Sequence, residues 1–393
     1  MKKIAAFITA AMLFIVVVVS VHYFAGSRIE ANNREFGTWI NSKKDLSYSA
    51  IASNLHDDTF MMLGSSELQH GEKTPYHPTS IFRQAGLNVM CIGAAGNQCF
   101  PHAVTMAALA PELKSKKVAL ILSPTWFSKG GIDGSKFAAR FSESQYQAML
   151  KNDSLSPELK DKLIERTEEL LEISPAMKEN AERDARVLIN GTDSIKDNVN
   201  YYMHNWIASE KEKISVGLMW KISGHKNNRK YEREDGEVPD WESLKEQADE
   251  EFKKECSNEF AMKDKFFNSK FKPVLKKLKD GDKDRSFKES AEYDDLKLFL
   301  DICKDQGVEV MLVLLPINGY WYDHTGFPKE NRDVIVGKIH EIAEDYDAEL
   351  CDFFGQCYTK GWLEDNTHPA GRGWVEINEK AYEFFTESQK ING

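Results

Sequence analysis

The sequence predicts an α/β protein in which a parallel sheet is flanked by helices, and three observations carry that expectation. Five apolar runs of strand length fall at residues 60–63, 88–93, 117–122, 308–315 and 348–353, with segments of helical spacing between most of them. The first run breaks at Gly64 into the small hydroxyl residues Ser65 and Ser66. Near the other end of the chain, Asp365-Asn366-Thr367-His368 precedes a last helix expected over 371–386. In open α/β sheets ligands sit outside the carboxyl ends of the strands, so both motifs are expected at one sheet edge.

The chain opens with Met1-Lys2-Lys3 and an apolar stretch from Ile4 to about Ala25. That is long enough for a hydrocarbon core, which needs about 20 residues. The two lysines favour a cytoplasmic N-terminus and put the remaining chain outside the cell. A cleaved signal peptide is the rival, since Ala25-Gly26-Ser27 offers small residues to a peptidase, but its apolar region would be shorter. The expectation is an uncleaved single-pass anchor over 1–27 in the cell membrane and an extracellular domain over 28–393.

The 393 residues are 41% hydrophobic, which suits one large domain, or one domain with a sizeable insertion, once the anchor is set aside. A formal charge of −11 and a pI near 5.5 argue against general nucleic-acid binding, which needs a basic footprint. The same acidity poses a difficulty for any anionic polymer substrate. Such a substrate needs a local basic area, and the sequence does not locate one. None of the six cysteines has Cys-x-x-Cys spacing, so no metal site is expected. Free thiols and one local disulfide, Cys91 with Cys99 or Cys351 with Cys357, both stay open.

Residues 28–49 read as a polar, partly helical connector. Past the serines, Gly71, Pro75 and Pro78 end regular structure. The second run leads into Ala94-Ala95-Gly96-Asn97-Gln98, where glycine permits a tight turn towards a helix over 102–110. The third run meets Ser123-Pro124-Thr125-Trp126. From about 138 to 288 the pattern changes to charged, helix-favouring residues, with helices expected over 157–173, 174–189 and 241–261. This reads as a helical insertion with an exposed, Lys/Glu-rich loop over 223–240. Its aromatic residues, Tyr201, Tyr202, Trp206, Trp220 and Trp241, are expected as core anchors. The α/β pattern returns with a helix over 289–304 and the fourth strand, which ends in Pro316-Ile317-Asn318-Gly319-Tyr320-Trp321-Tyr322-Asp323. Asn318 and the aromatic trio, Trp321 included, could line an acceptor pocket, and Asp323 could meet a substrate ammonium. A helix over 328–346 and the fifth strand lead to the Asp365/His368 loop.

A serine nucleophile needs a base to take its proton and a carboxylate to orient that base. His368 and Asp365 could supply both; Ser65 and Ser66 are both available as nucleophile, and Ser65 could instead be a plain helix N-cap. A glycine-flanked serine after the first strand, followed by Asp-x-x-His before the last helix, resembles the SGNH (GDSL-type) hydrolase superfamily. The resemblance implies an SGNH-hydrolase-like, flavodoxin-like parallel sheet, with Ser66 as nucleophile, His368 as base and Asp365 as its orienting acid. It also implies that Gly96 gives a backbone N–H to the oxyanion hole. The superfamily's asparagine donor after the third strand is missing here, and Thr125, the Trp126 backbone or Gln98 could replace it.

Gly64-Ser65-Ser66-Glu67-Leu68, the segment from Leu315 to Asp323 with Thr325-Gly326 beyond it, the Asp-x-x-His loop and the single N-terminal anchor together resemble the DltD family of D-alanyl transfer proteins of Gram-positive bacteria. The resemblance implies transfer of D-alanine onto lipoteichoic acid outside the membrane, with no cofactor. The implied partners are a membrane-bound O-acyltransferase, DltB, and a carrier protein, DltC. Two other functions use the same sequence: an exported esterase or thioesterase that hydrolyses D-alanyl esters, and a non-catalytic scaffold that brings carrier and acyltransferase together.

Overall fold

Five strands form where the apolar runs stand, and all five pair in parallel: β1 (Thr59–Gly64), β2 (Asn88–Gly93), β3 (Lys117–Leu122), β4 (Glu309–Leu314) and β5 (Glu349–Asp352). The structure is a computed structural model that describes residues 2–26, 33–226, 231–232 and 235–391. Ser27, the first part of the expected connector at 28–32, and positions 227–230 and 233–234 of the expected loop lie outside the described residues. The strand order is β2-β1-β3-β4-β5, a doubly wound arrangement whose direction reverses between β1 and β3. Ligand sites in such sheets gather at that reversal, beyond the strand ends.

Strands β1 to β4 are apolar on both faces because both faces are covered. Successive side chains alternate: Met61, Leu63, Leu120, Leu312 and Leu314 enter one core, with the helices Cys99–Leu109 and Glu292–Asp305. Phe60, Met62, Ile121, Met311 and Val313 enter a second core on the opposite face, under the helices Pro78–Gln84 and Gly371–Ile391.

The described part of the expected connector is not a solvated linker. Short helices at Asn33–Thr38, Ser42–Asp45 and Tyr48–Ala52 pack onto the domain, and Phe36 and Trp39 are buried. Lys44 is fully buried, its ammonium donating to the carbonyls of Gly37 at 3.1 Å and Cys91 at 2.6 Å. Burial lowers the Lys44 pKa and lifts that of Asp45 to about 6, while Asp45 accepts from the Gly93 N–H at 3.2 Å. The segment therefore clamps the end of β2.

Between β3 and β4 the described chain is helical. It includes Pro157–Leu170, Pro175–Ala185, Trp241–Glu255 and, longest of all after the N-terminal helix is counted with it, Ile195–Ile222. Tyr201 and Trp220 are buried anchors, and Trp241 packs on Tyr382. Tyr202 and Trp206 are not: they stand 67% and 51% exposed, which corrects the expectation that these aromatics all fill the core. The N-terminal helix Lys2–Gly26 is apolar and exposed, and among the described residues it alone is long and apolar enough to cross a membrane. All six cysteines are free, so neither local disulfide forms.

Candidate active site

The turn after β1 is shaped by two glycines. Gly64 and Gly93 face each other in register at the ends of β1 and β2, and a Cβ on Gly93 would lie 2.6 Å from the Gly64 carbonyl. A Cβ on Gly64 would meet the Glu67 carboxylate at 2.5 Å. The absence of both side chains lets the chain fold back immediately after Leu63. The Gly64 carbonyl is held from below by His102, whose Nε2–H donates to it at 2.8 Å. Burial lowers the His102 pKa to about 4, so the ring is a neutral donor.

Beyond Gly64 the backbone makes a single 3₁₀ turn, Ser66–Gln69. A full helix dipole is therefore not aimed at the serine; what remains is the local set of N–H groups. Ser65 is buried, with its hydroxyl donating to the Ala94 carbonyl at 3.2 Å and its N–H donating to Glu67. It makes no side-chain cap. Ser66 points the other way, and its hydroxyl lies 2.8 Å from His368 Nε2.

His368 comes from the loop before the last helix. Its Nδ1–H donates to Asp365 Oδ2 at 2.8 Å, and the Asp365 carboxylate also accepts from the backbone N–H groups of Thr367 and His368, each at 2.9 Å. That loop is tied back by an antiparallel bridge between Leu363 and Pro369. Burial works against charge on the His368 ring, but the Asp365 hydrogen bond and charge outweigh it, with Glu67 and Glu364 adding to them, and the pKa lies above the usual imidazole value. Burial likewise opposes ionisation of Asp365, yet the His368 bond and the two backbone donors hold its pKa below the ordinary carboxylate value. A hydroxyl, an imidazole and an ionised acid thus stand in line, the arrangement needed to make a serine oxygen nucleophilic.

A second imidazole lies against the first. His70 stacks on His368 with ring centroids 3.7 Å apart and planes 3° from parallel, and its Nδ1–H donates to Glu364 at 2.6 Å. Donor atoms of His70, Asp365 and His368 all lie within 4.8 Å of one another, close enough for a cation to bridge. In this structure each ring is instead bonded to its own carboxylate, and His368 to Ser66 as well.

A family model described as DltD protein matches residues 33–386. The chain belongs to the DltD family. It is 31% identical over 340 residues to Protein DltD of Bacillus subtilis (strain 168), covering 84% of this chain and 83% of that one. It is 26% identical over 381 residues to Protein DltD of Staphylococcus aureus (strain NCTC 8325 / PS 47), covering 95% and 93%. To Protein DltD of Lacticaseibacillus rhamnosus it is 24% identical over 329 residues, covering 82% and 76%.

The remaining expected positions in this DltD-family chain have varied surroundings. Gly96 has φ +96°, the left-handed conformation that a tight turn demands. Thr125 sits in the 3₁₀ turn Pro124–Trp126 after β3 and shares a 2.9 Å hydrogen bond with Ser123. Asn318 and Trp321, expected to line an acceptor pocket, and Asp323, expected to meet a substrate ammonium, all have partners within the protein. Asn318 is 3% exposed; its side-chain carbonyl caps the next helix at Trp321 N–H, and its amide donates to the Phe260 and Asp365 carbonyls at 2.9 and 3.3 Å. It positions the Asp365 loop and leaves no group for a ligand. Trp321 is buried against Phe260 and Phe271. Asp323 is paired with Arg332 and accepts from the Tyr358 hydroxyl at 2.9 Å, so its charge is already answered.

The candidate site is also bordered by groups to which sequence reading gave no role: His70, Glu67, Glu364, Lys263 and Phe266. The Lys263 N–H donates to the Glu364 carbonyl at 2.9 Å, and the Phe266 ring centre is 5.8 Å from that of His70. The signal for His70 was present in the sequence, four residues beyond Ser66, but nothing in the spacing says that its ring would meet His368.

Proposed function

We propose that the chain transfers D-alanyl groups onto lipoteichoic acid at the outer face of the cytoplasmic membrane, through an acyl intermediate on Ser66. Membership of the DltD family supports a role in D-alanylation of teichoic acids; the chemistry rests on the chain's own geometry. The single observation that carries it is the line from Ser66 Oγ to His368 Nε2 at 2.8 Å and from His368 Nδ1 to Asp365 at 2.8 Å. The strand order and the sequence order of serine, aspartate and histidine support an SGNH-hydrolase-like architecture, with an anchor over 1–27 and a helical insertion over about 138–288 in the outer domain.

In the first half-reaction the Ser66 hydroxyl gives its proton to His368 Nε2 as its oxygen attacks the carbonyl carbon of a D-alanyl thioester or ester. The bond to the leaving sulfur or oxygen breaks, and the leaving group takes the proton from His368. In the second, a hydroxyl of the polymer gives its proton to His368 and attacks the acyl-serine carbon, and the proton returns to Ser66. Asp365, held ionised, stabilises the imidazolium in both halves. Donors for the oxyanion come from the Ser66 and Gly96 N–H groups, with Thr125 as a further candidate. With the N-terminus inside, a cytoplasmic DltC could not reach this site, so DltB would have to pass the acyl group across.

Mass spectrometry of the full chain after exposure to a D-alanyl thioester tests this. An adduct of alanyl mass on Ser66, lost in Ser66→Ala and discharged by added polymer faster than by water, is the expected result. Discharge by water alone would make the protein an esterase. A Ser66→Ala chain that still sustains D-alanylation in cells would leave only a scaffold.

A further inference from the structure

The chain's acidity conflicts with an anionic polymer substrate, and the structure resolves the conflict locally. Between residues 263 and 279 there are seven lysines and one acid, Asp264. Asp264 is engaged by Ser257 and Asn258. Lys263 is paired with Glu255 at 2.8 Å, but Lys265, Lys270, Lys272, Lys276, Lys277 and Lys279 are exposed and have no ion-pair partner among the described residues. This segment runs from the edge of the site onto the helix Gly319–His324. Its N-terminal end bonds to Glu364; Phe271 packs on Trp321 with centroids 4.8 Å apart; and the Leu275 carbonyl accepts from His324 at 3.0 Å. At the end near the catalytic rings, Lys265 and Lys270 hold their ammonium groups 4.5 and 5.1 Å from the Phe266 ring centre, and Phe266 neighbours His70.

We propose that this lysine strap is the binding track for a phosphodiester polymer, feeding one of its hydroxyls to Ser66. The assignment rests on the transfer reading above, and it names where the acceptor lies. Successive unpaired ammonium groups on one short segment match a chain that carries one negative charge per repeat, and a flexible polymer can follow them without base-like readout. The chain as a whole carries a net charge of −11, so outside this basic segment the surface is acidic and keeps the polymer off.

Equilibrium binding of poly(glycerol phosphate) to the full chain tests it without needing turnover, so Ser66→Ala should bind as tightly as the parent whatever becomes of the transfer reading. The triple variant Lys265→Gln, Lys270→Gln, Lys272→Gln is expected to bind on the order of 10-fold more weakly. The slope of log K against log salt should fall by about 2. A charge-matched control, Lys114→Gln, Lys129→Gln, Lys160→Gln, should bind normally. Unchanged binding in the triple variant, or equal weakening in the control, overturns the proposal. So does a triple variant that loses only anionic vesicles and keeps the polymer.

An independent observation concerns the first half of the helix Ile195–Ile222, where a set of apolar side chains faces outward. Ile195, Val199, Tyr202, Met203, Trp206 and Ile207 are all exposed and fall within an arc of roughly 140° at 3.6 residues per turn. The helix meets the domain through buried Tyr201, Val216 and Trp220 and through polar contacts: His204 meets Glu143 at 3.0 Å, Glu212 accepts from Ser47 at 2.6 Å, and Asp197 pairs with Arg186 at 3.7 Å. The apolar helix Lys2–Gly26 lies against this same helix. From that neighbour we infer that the outward face lies in the lipid headgroup region beside the anchor. Tyr202 and Trp206 are interfacial residue types, and Lys196, the one charge in that arc over 195–207, can reach a phosphate.

This too rests on the anchor being retained. Full chain in phosphatidylglycerol vesicles carrying a photoactivatable lipid is expected to give lipid adducts on both the anchor and residues 199–207, with those on 199–207 lost in Tyr202→Glu, Trp206→Glu. Adducts on the anchor alone, or chain-to-chain adducts at 199–207, overturn the inference. The absence of anchor adducts would instead remove the membrane reading itself.

Discussion

In the proposed transfer His368 must be neutral to accept the Ser66 proton, and its surroundings make it harder to deprotonate than a free imidazole. Because its pKa is raised above 6.5, activity should climb with pH through a value above 6.5 and fall away on acidification earlier than for an unperturbed histidine. In Asp365→Asn the partner charge is gone, so the rising limb should move to lower pH while the maximal rate drops by a large factor, on the order of 10³-fold or more by analogy with other triads. A pH profile of single-turnover acylation reads both. If the limb stayed in place, Asp365 would not be the group that sets the His368 pKa. His70 acts on the same ring by contact. His70→Ala should remove the stacked surface and free Glu364, lowering acylation on the order of 10-fold through a less well-held His368. His70→Phe, which keeps the flat surface but not the Glu364 bond, should recover part of that loss; equal losses in the two would assign the effect to the Glu364 bond.

The strands were legible because each is a short apolar run bounded by turn residues, and covering by helices on both faces is what such runs need. The same rule failed for Ile195–Ile222. Its first half repeats apolar residues at helical spacing, which reads as a core face, yet those from Ile195 to Ile207 other than Tyr201 look outward, and only Tyr201, Val216 and Trp220 are buried. No local pattern distinguishes the two. The turn that carries Ser66 was legible as a break at Gly64, whereas the need for Gly93 opposite it depends on strand register, which only pairing fixes. That pairing makes a prediction. In Gly93→Ala the new Cβ would meet Gly64 backbone atoms at 2.6 Å, and backbone cannot swing aside as a side chain can. The variant should lose about 1–3 kcal/mol of stability and acylate poorly, because β1 must shift beneath Ser66. Gly64→Ala, which meets the Glu67 carboxylate, should retain more stability while still displacing the turn. Urea unfolding alongside acylation rates would separate the two, and a fully stable, active Gly93→Ala would refute the close approach.

Buried ionisable groups at opposite ends of the pH range bound the stability of the whole domain. His77 and His102 are neutral in the fold, their pKa values lowered by burial to about 3 and about 4 from 6.5. Depressed folded values mean that their contribution is complete above 6.5 and is lost as pH falls towards 4 and below. Glu292 works in the other direction. It lies buried at the start of the helix Cys99–Leu109, accepts from the Cys99 N–H at 2.7 Å, and has its pKa raised by burial, with Asp295 adding to it, to about 8 from 4.5. A carboxyl whose folded value is raised favours the fold fully below 4.5, and that advantage is lost as pH rises through 8. The domain should therefore be most stable between these limits and weaken on both sides. Glu292→Gln keeps an oxygen to accept from Cys99 and has no proton to lose. It should flatten the decline between about pH 6.5 and 8 and steepen the rise from about pH 4.5 to 6.5, which the histidines drive. Urea midpoints measured across pH 4 to 9 test this, and a Glu292→Gln chain that declined on the alkaline side as steeply as the parent would show that another group governs it.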